Sequence, residues 1–304
     1  MNTRPWAFGL VSMLALGALA VVPSFVSDYT VSLMINMLMY AVLATAWGIF
    51  CGTTRLISLA TVAFFGVGCY TVAIFSEQLP WPALLMLAGL LGGSLALLIG
   101  VCTLRLSGMY FVIFSFGVAE LVRQLVTWYE SKITGSVGRY VFIEITAAQI
   151  YWQLLVLLAV VWGLGIWLSR AKLGFALRLI GEDEVAARSC GINTVAVRLA
   201  VLTGSAALMA IAGAIVAPRW TYIEPAIAFK SVISFQVVVM ALLGGIALFY
   251  GPLLGVIPLV LAFEVLTKYL PDHFSIVLGV IFLLIVYVLP GGFLALGQRI
   301  RGRV

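Results

Sequence analysis

Charged residues are scarce in this sequence. Of its 304 residues, only 9% are Asp, Glu, Lys or Arg, whereas 64% are hydrophobic and the mean hydropathy is +1.20. Soluble globular domains contain about 45–50% apolar and about 25% charged residues, so this composition excludes a soluble fold. We attribute the net charge of +6 to membrane topology, and we expect no nucleic-acid partner.

Residues and motifs that carry catalysis are also missing. The sequence has one histidine, His273, and four cysteines without the paired spacing of a metal site or a disulfide framework (Cys51, Cys69, Cys102 and Cys190). It has no G-x-x-x-x-G-K-[S/T] phosphate loop, no H-E-x-x-H motif and no nucleophile elbow. We therefore expect a non-enzyme without a cofactor of its own, driven by another subunit or by an ion gradient.

Long uncharged runs separate the few charges, and most of them fit a membrane helix of about 20 residues. The run 231–263 is too long for one span and is interrupted by Gly244, Gly245, Gly251 and Pro252, so it predicts two helices. The sequence predicts an all-α integral membrane protein, a single transmembrane domain over 1–304 that forms a polytopic bundle of about ten helices. The predicted spans are 7–26, 31–50, 56–75, 82–104, 109–128, 147–168, 199–218, 232–248, 252–268 and 274–291.

The basic residues orient these ten spans. With a cytoplasmic N-terminus, eleven Lys and Arg residues fall on the inner side and five on the outer side, as the positive-inside rule requires. This predicts a multi-pass protein of a bacterial inner membrane with both termini in the cytoplasm. The first apolar run could alternatively be a signal peptide, with Ala18-Leu19-Ala20 as a cleavage-like triplet. Its length favours a retained helix.

One inner segment, 169–198, is unusually polar, since six charged residues lie between Arg178 and Arg198. The acids Glu182, Asp183 and Glu184 are typical of a helix N-terminus, and Gly191 is typical of the position that follows a helix end. These residues predict a short cytoplasmic helix. An ordinary solvated loop is the alternative.

Side chains within this segment support the helix. Glu184 and Arg188 have the spacing of an i,i+4 ion pair, and Asn193 or Thr194 can cap the next membrane helix. Ala186 and Ala187 are small, so we expect another surface to approach closely there.

The segment 184–191 (EVAARSCG) resembles the "EAA" loop by which permeases of ABC importers contact their ATPase subunits. More narrowly, the chain resembles the branched-chain amino acid permease family, on its LivM-like side. The resemblance covers roughly residues 55 to 255. It is carried by 57–70, 106–111 with 119–120, 178–193, 243–245 and 250–255. One departure concerns the outer loop, where Thr134-Gly135-Ser136-Val137-Gly138-Arg139 replaces the family's T-G-G-x-x-G pattern.

The resemblance implies a permease subunit that imports branched-chain or related small amino acids; urea, an amide or an aromatic carboxylate are alternative solutes. It implies four kinds of partner: a second homologous permease, two cytoplasmic ATPase subunits that bind the ATP, a periplasmic solute-binding protein and the lipid bilayer. The expected ATPase-coupling residues are Gly181, Glu182, Asp183, Glu184, Ala186, Ala187, Gly191 and Asn193.

Charges within the spans are candidates for transport or gating, because a charge at bilayer depth costs a few kcal/mol or more. Glu120 and Arg123 are i,i+3 neighbours, and Glu264 and Lys268 are i,i+4 neighbours, so structural ion pairs are the alternative for both. An ion-coupled secondary transporter would have to use one of these two acids, which disfavours that class.

Glycines are the other candidates for the translocation pathway. Broken helices expose backbone groups at such positions, so we add Gly244 and Gly245 to Glu120 and Arg123. Close helix packing is the alternative, as it is for the pairs Gly66/Gly68 and Gly92/Gly93.

Overall fold

The computed structural model of the chain describes residues 23, 27–104, 106, 108–245, 251–269 and 273–288. These ranges are almost entirely helical, with one pair of two-residue strands. The helices are α1 (Asp28–Thr54), α2 (Thr61–Phe75), α3 (Trp81–Thr103), α4 (Met109–Tyr129), α5 (Ala147–Arg170), α6 (Lys172–Glu182), α7 (Glu184–Ser189), α8 (Thr194–Val216), α9 (Pro225–Ala228), α10 (Val232–Gly244), α11 (Gly251–Tyr269) and α12 (Phe274–Val288).

Seven helical units are long and apolar enough to cross a membrane, as expected for a multi-pass protein. They are Asp28–Thr54, Trp81–Thr103, Met109–Thr134, Ala147–Arg170, Thr194–Arg219, Pro225–Gly244 and Gly251–Tyr269. The predicted span 7–26 lies outside the described residues. The predicted spans 56–75 and 274–291 contain the shorter helices α2 and α12, so the count of ten stays a prediction.

Helix α8 lies at the centre of the bundle and packs most extensively on α2 and α3. Glycines bring the backbones into contact. A Cβ on Gly68 would lie 1.8 Å from the carbonyl oxygen of Ala210, and one on Gly92 would lie 2.3 Å from the Ala210 Cβ. A Cβ on Gly66 would lie 2.3 Å from the ring of Phe229. Close packing, the alternative considered for these glycines, is what the structure shows.

The predicted span 56–75 is only partly helical, because the backbone from Arg55 to Ala60 precedes the first turn of α2. Neighbouring side chains bind this non-helical backbone and the first turn of α2. Trp47 Nε1 donates to the Ser58 carbonyl at 2.7 Å, the Leu59 N–H donates to Ser115 Oγ at 2.9 Å, and the Val62 N–H donates to Ser234 Oγ at 3.0 Å. Irregular backbone is tolerated at membrane depth when it is buried and hydrogen-bonded in this way.

At the opposite end of α2, two loop segments are joined. Strand β1 (Arg139–Tyr140) pairs antiparallel with strand β2 (Tyr222–Ile223). The Glu130 carboxylate, whose side chain is only 2% exposed, accepts bonds from the Tyr70 hydroxyl at 3.1 Å and from the Gly138 N–H at 2.8 Å. Arg139 Nε lies 3.3 Å from the same carboxylate. These contacts hold the 130–139 loop against the bundle.

Candidate functional site

The polar segment 169–198 forms two short helices, where the sequence predicted one over 182–190. Helix α6 is amphipathic, and it buries Leu177 and Ile180. Gly181 lets α6 approach the end of α1, since a Cβ there would lie 2.5 Å from the Thr53 carbonyl oxygen. The predicted helix start at Glu182 was wrong: Glu182 is the last residue of α6, because the extended backbone at Asp183 separates α6 from α7.

Helix α7 begins and ends at the expected signals. Asp183 caps it by accepting bonds from the Val185 and Ala186 N–H groups at 2.8 and 3.1 Å. Gly191 follows the helix with φ of +80°, a conformation that favours glycine. Asn193 then caps α8 through the Ala196 N–H at 3.1 Å.

Glu184 links α7 to the membrane helix that follows it. Its carboxylate receives Arg188 Nη2 at 2.6 Å, the ion pair that the spacing predicted. The other oxygen lies 2.9 Å from Arg198 Nη1, in the second turn of α8, where the Arg198 side chain is only 7% exposed. Thr194 Oγ1 adds a weaker bond at 3.3 Å. The short helix is therefore fixed to α8 by a network of charges.

These contacts also determine the charge of Glu184. Partial burial raises the pKa of the carboxyl, but the bonds from Arg188 and the charge of Arg198 outweigh it, so the pKa lies below its ordinary value of 4.5. Glu184 is therefore ionised at neutral pH.

The outer surface of α7 is available for contact. Val185 is 74% exposed, and Ala186 beside it is exposed too, whereas Ala187 is buried against the bundle. Of the two alanines predicted to permit close approach, Ala186 therefore faces outward and Ala187 inward. Val185 and Ala186 thus lie on the outward face of a helix that Glu184 fixes to α8.

The Glu120–Arg123 ion pair forms on α4 as expected. Arg123 Nε donates to the Glu120 carboxylate at 2.9 and 3.1 Å, and a second contact runs from Nη2 to Oε1. Both side chains are about one-third exposed, at 36% and 32%. Helix α4 otherwise exposes apolar side chains, including Leu121, Leu125 and Trp128. The pair thus lies beside a surface that faces lipid or another protein.

The predicted Glu264–Lys268 pair was wrong: within the described residues, no ion pair joins them. Glu264 instead accepts the Tyr29 hydroxyl at 2.9 Å, and Lys268 Nζ lies 5.7 Å from the centre of the Tyr269 ring. The i,i+4 spacing permits the pair, but Glu264 is half-buried towards α1 while Lys268 is exposed.

Gly244 and Gly245 lie where α10 meets α11. A Cβ on Gly244 would lie 1.9 Å from the Gly251 carbonyl oxygen, and one on Gly255 would lie 1.9 Å from that of Met240. Gly245 ends α10 with φ of +97°. The two backbones touch at these positions, so close packing is established there, and a role in translocation stays a prediction.

Comparison with known proteins identifies the family to which this helical bundle belongs. Residues 29–286 match the model of a family described as "Branched-chain amino acid transport system / permease component". The chain belongs to this family. Two curated relatives are high-affinity branched-chain amino acid transport system permease proteins LivM, from Escherichia coli (28% identical) and Salmonella typhimurium (27%). Each alignment covers 93% of this chain and 74% of the relative. No solved structure matches the chain significantly.

Two buried charged residues of this permease could not be recognised from the sequence. Arg198 was counted only as an inner charge, although it is the buried partner of Glu184. Glu130 lies two residues beyond the predicted span 109–128, yet its side chain is buried beneath the outer loop. Both lie at the boundary between a helix and a loop, where charge alone does not tell which side chain turns inward. Glu130 and Arg139 are nine residues apart, and Glu184 and Arg198 are fourteen apart. Neither spacing is one at which a regular helix or strand brings two side chains together.

Proposed function

We propose that this permease imports branched-chain amino acids as the membrane subunit of an ATP-driven ABC importer. The family match over 29–286 and the names of both LivM relatives, which are branched-chain amino acid permeases, support the substrate. The observation that carries the ATP-driven mechanism is α7, a short helix outside the spans that exposes Val185 and is fixed to α8 through Glu184 and Arg198.

In this proposal two cytoplasmic ATPase subunits bind the ATP, and their movement reaches the permease through α6 and α7. The coupling segment contains Gly181, Glu182, Asp183, Glu184, Ala186, Ala187, Gly191 and Asn193, of which Ala187 faces the bundle and not the ATPases. Val185 supplies the apolar contact, and the Glu184–Arg198 ion pair transmits the displacement to α8. Because α8 packs on α2 and α3, a displacement of α7 biases the bundle between inward-open and outward-open states.

A second, homologous permease would complete the pathway. We place it against α4, because the Glu120–Arg123 pair, about one-third exposed, interrupts the apolar surface of that helix and is costly in lipid. Contact with the partner, or with water in a shared pathway, would relieve this cost and give the pair a gating role. Gly244 and Gly245 are the corresponding candidates where α10 meets α11.

The proposed topology has ten spans in the inner membrane, with 7–26 as the first and both termini in the cytoplasm. This orientation places α6 and α7 on the ATP side, and it places β1 and β2 outside, where a periplasmic binding protein delivers the solute. The basic residues on either side of α6 and α7 support it, since eleven of the chain's Lys and Arg residues then lie inside.

An uptake assay with the assembled importer tests which solute is transported. The permease, its homologous partner, both ATPases and the binding protein are reconstituted in vesicles that contain ATP, and uptake of labelled leucine is measured against urea, an amide and benzoate as competitors. We expect ATP-dependent leucine uptake that isoleucine and valine inhibit. Uptake of urea or benzoate instead, or leucine uptake that follows a proton gradient without ATP, would refute the proposal.

The contact with the ATPases is tested at Val185. Glu184 is a poor probe, because its replacement also removes the partner of a buried arginine. Val185→Asp places a charge on the exposed surface of α7 without changing a bond, and should release the ATPases during purification. Val137→Asp, the same change at an exposed site in the outer loop, is the matched control. Equal ATPase recovery with both variants would contradict the coupling role.

A further inference from the structure

A polar track crosses the apolar bundle at the end where α1 begins. Tyr29, Ser32 and Asn36 lie on one face of α1, because they are spaced by three and four residues. Opposite them lie Arg219, at the end of the 3₁₀ turn after α8, and Glu264 of α11. We call these five residues the polar seam.

Arg219 is held in the seam by neutral groups only. Its Nη1 donates to Asn36 Oδ1 at 2.6 Å, and its Nη2 donates to Ser32 Oγ. Within the described residues it forms no ion pair. A guanidinium has five N–H donors, so donors are left for another acceptor. A half-buried cation without a carboxylate is unfavourable in a membrane domain, which makes it a candidate for binding an anion.

The acid of the seam is also unpaired. Glu264 accepts one bond, from the Tyr29 hydroxyl at 2.9 Å, and forms no ion pair within the part of the chain that the structure describes. The Tyr29 hydroxyl that binds Glu264 lies on the same face of α1 as Ser32 and Asn36, which bind Arg219. The seam thus presents a positive and a negative group that are near each other but not joined.

Apolar side chains border these charges. Leu33 and Met37 are half-buried next to the polar residues of α1. One turn deeper, the Tyr40 hydroxyl donates to Gln236 Oε1 at 2.5 Å, and Gln236 is buried. This bond is the next polar contact along α1, so the charged groups of the seam lie closer to the start of that helix than it does.

Two separated charges beside an apolar surface are complementary to a zwitterion with an aliphatic side chain. We propose that Arg219 and Glu264 bind the α-carboxylate and the α-ammonium group of a free amino acid that enters the permease. This rests on the proposed function, and it deepens it by naming the site. The carboxylate accepts the free guanidinium donors, the ammonium group donates to Glu264, and the aliphatic side chain lies against Leu33 and Met37.

The test uses the assembled importer in ATP-loaded vesicles. Arg219→Gln and Glu264→Gln should each lower leucine uptake by about tenfold or more, the effect of losing a hydrogen bond to a charged group. Lys230→Gln is the matched control, because it removes an exposed charge at the same end of the bundle and should leave uptake unchanged. Uptake by both seam variants at the wild-type rate would overturn the proposal.

A triple variant distinguishes a purely structural role of Arg219 from a role in binding. If Arg219 only holds the 3₁₀ turn against α1, then Arg219→Met with Ser32→Ala and Asn36→Leu removes the cation and both of its acceptors together. Such a combined replacement can be nearly neutral for packing, and uptake would return. Recovery of uptake would therefore overturn the proposal, and we expect none.

A photoreactive leucine analogue carrying a diazirine gives a readout that requires no variant. In the transporting wild type, we expect cross-links within 29–40, in the α1 part of the seam. Cross-links confined to other helices would overturn the seam as a binding site while leaving leucine import intact. Failure of the wild type to import any amino acid is a separate result, visible before variants are compared, and it would refute both the proposed function and this site.

Discussion

The carboxylate of Glu184 lies 2.9 Å from the guanidinium of Arg198, and this pair joins the first turn of α7 to the second turn of α8. The same carboxylate binds Arg188 on α7 itself at 2.6 Å. One side chain therefore connects a helix outside the spans with a helix at the centre of the bundle. Such a connection allows a force on α7 to move α8, whereas a flexible loop would absorb it.

Replacing Glu184 by Gln should destabilise the permease, because the charge of the buried Arg198 then has no partner. We expect a loss of about 2 kcal/mol, within the range for a hydrogen bond to a charged group. Thermal unfolding of the purified protein in detergent measures it. Glu182→Gln, at the exposed last residue of α6, is the control and should leave the unfolding midpoint unchanged.

The stabilisation by Glu184 should depend on pH. Its pKa is lowered in the folded protein from the ordinary value of 4.5. A carboxyl of this kind contributes stability that is complete above its unfolded pKa and is lost as the pH falls through the lower folded value. The difference in unfolding midpoint between wild type and Glu184→Gln should thus be constant near neutral pH. It should become smaller as the pH falls below the ordinary carboxyl pKa of 4.5. A difference that grows in acid would contradict this assignment.

Glycines on α8 should differ sharply in their tolerance of alanine. A Cβ on Gly213 would lie 2.0 Å from the Phe65 carbonyl oxygen, whereas Gly204 on the same helix has nothing within 4 Å. We expect Gly213→Ala to destabilise the bundle by about 1–3 kcal/mol. Gly204→Ala should be neutral, or stabilising by up to about 1 kcal/mol through helix propensity. Equal unfolding midpoints for the two variants would show that α2 and α8 do not pack as described.

Long hydrophobic runs made most helices predictable from sequence, since a span needs only length and apolar character. The two ends of α7 were equally predictable, because they depend on local structure. Asp183 bonds to N–H groups two and three residues away, and Gly191 adopts a positive φ just after the helix. The Glu120–Arg123 and Glu184–Arg188 pairs were predictable for the same reason.

Contacts between distant segments were not predictable. The Glu264–Lys268 pair satisfied its helical spacing, yet Glu264 binds Tyr29, which is 235 residues away in the chain. Likewise, the backbone N–H groups just before α2 and in its first turn donate to Ser115 and Ser234, which lie on two other helices. A serine within an apolar run looks the same whether it faces lipid, its own helix or a neighbouring backbone, and only the packing of the helices decides.

The buried Glu130 should control the order of the outer loop. It accepts bonds from Tyr70, Gly138 and Arg139, and Glu130→Gln removes the charge that compensates Arg139. We expect a local loss of about 1–3 kcal/mol, seen as faster trypsin cleavage after Lys132 and Arg139. Glu144→Gln, at an exposed position of the same loop, should leave cleavage unchanged. Equal cleavage rates for the two variants would refute this role.

Cys190 provides a test of the proposed orientation, because it is exposed directly after α7, whereas Cys51 and Cys69 are buried. In a Cys102→Ser background, a membrane-impermeant maleimide should label Cys190 in inverted membrane vesicles and leave it unlabelled in intact cells. Val137→Cys, placed in the outer loop, should show the opposite pattern and confirms that the reagent reaches the outer surface. Labelling of Cys190 from outside would place α7 away from the ATP-containing compartment, and the coupling proposal would then fail, because no cytoplasmic ATPase could contact that helix.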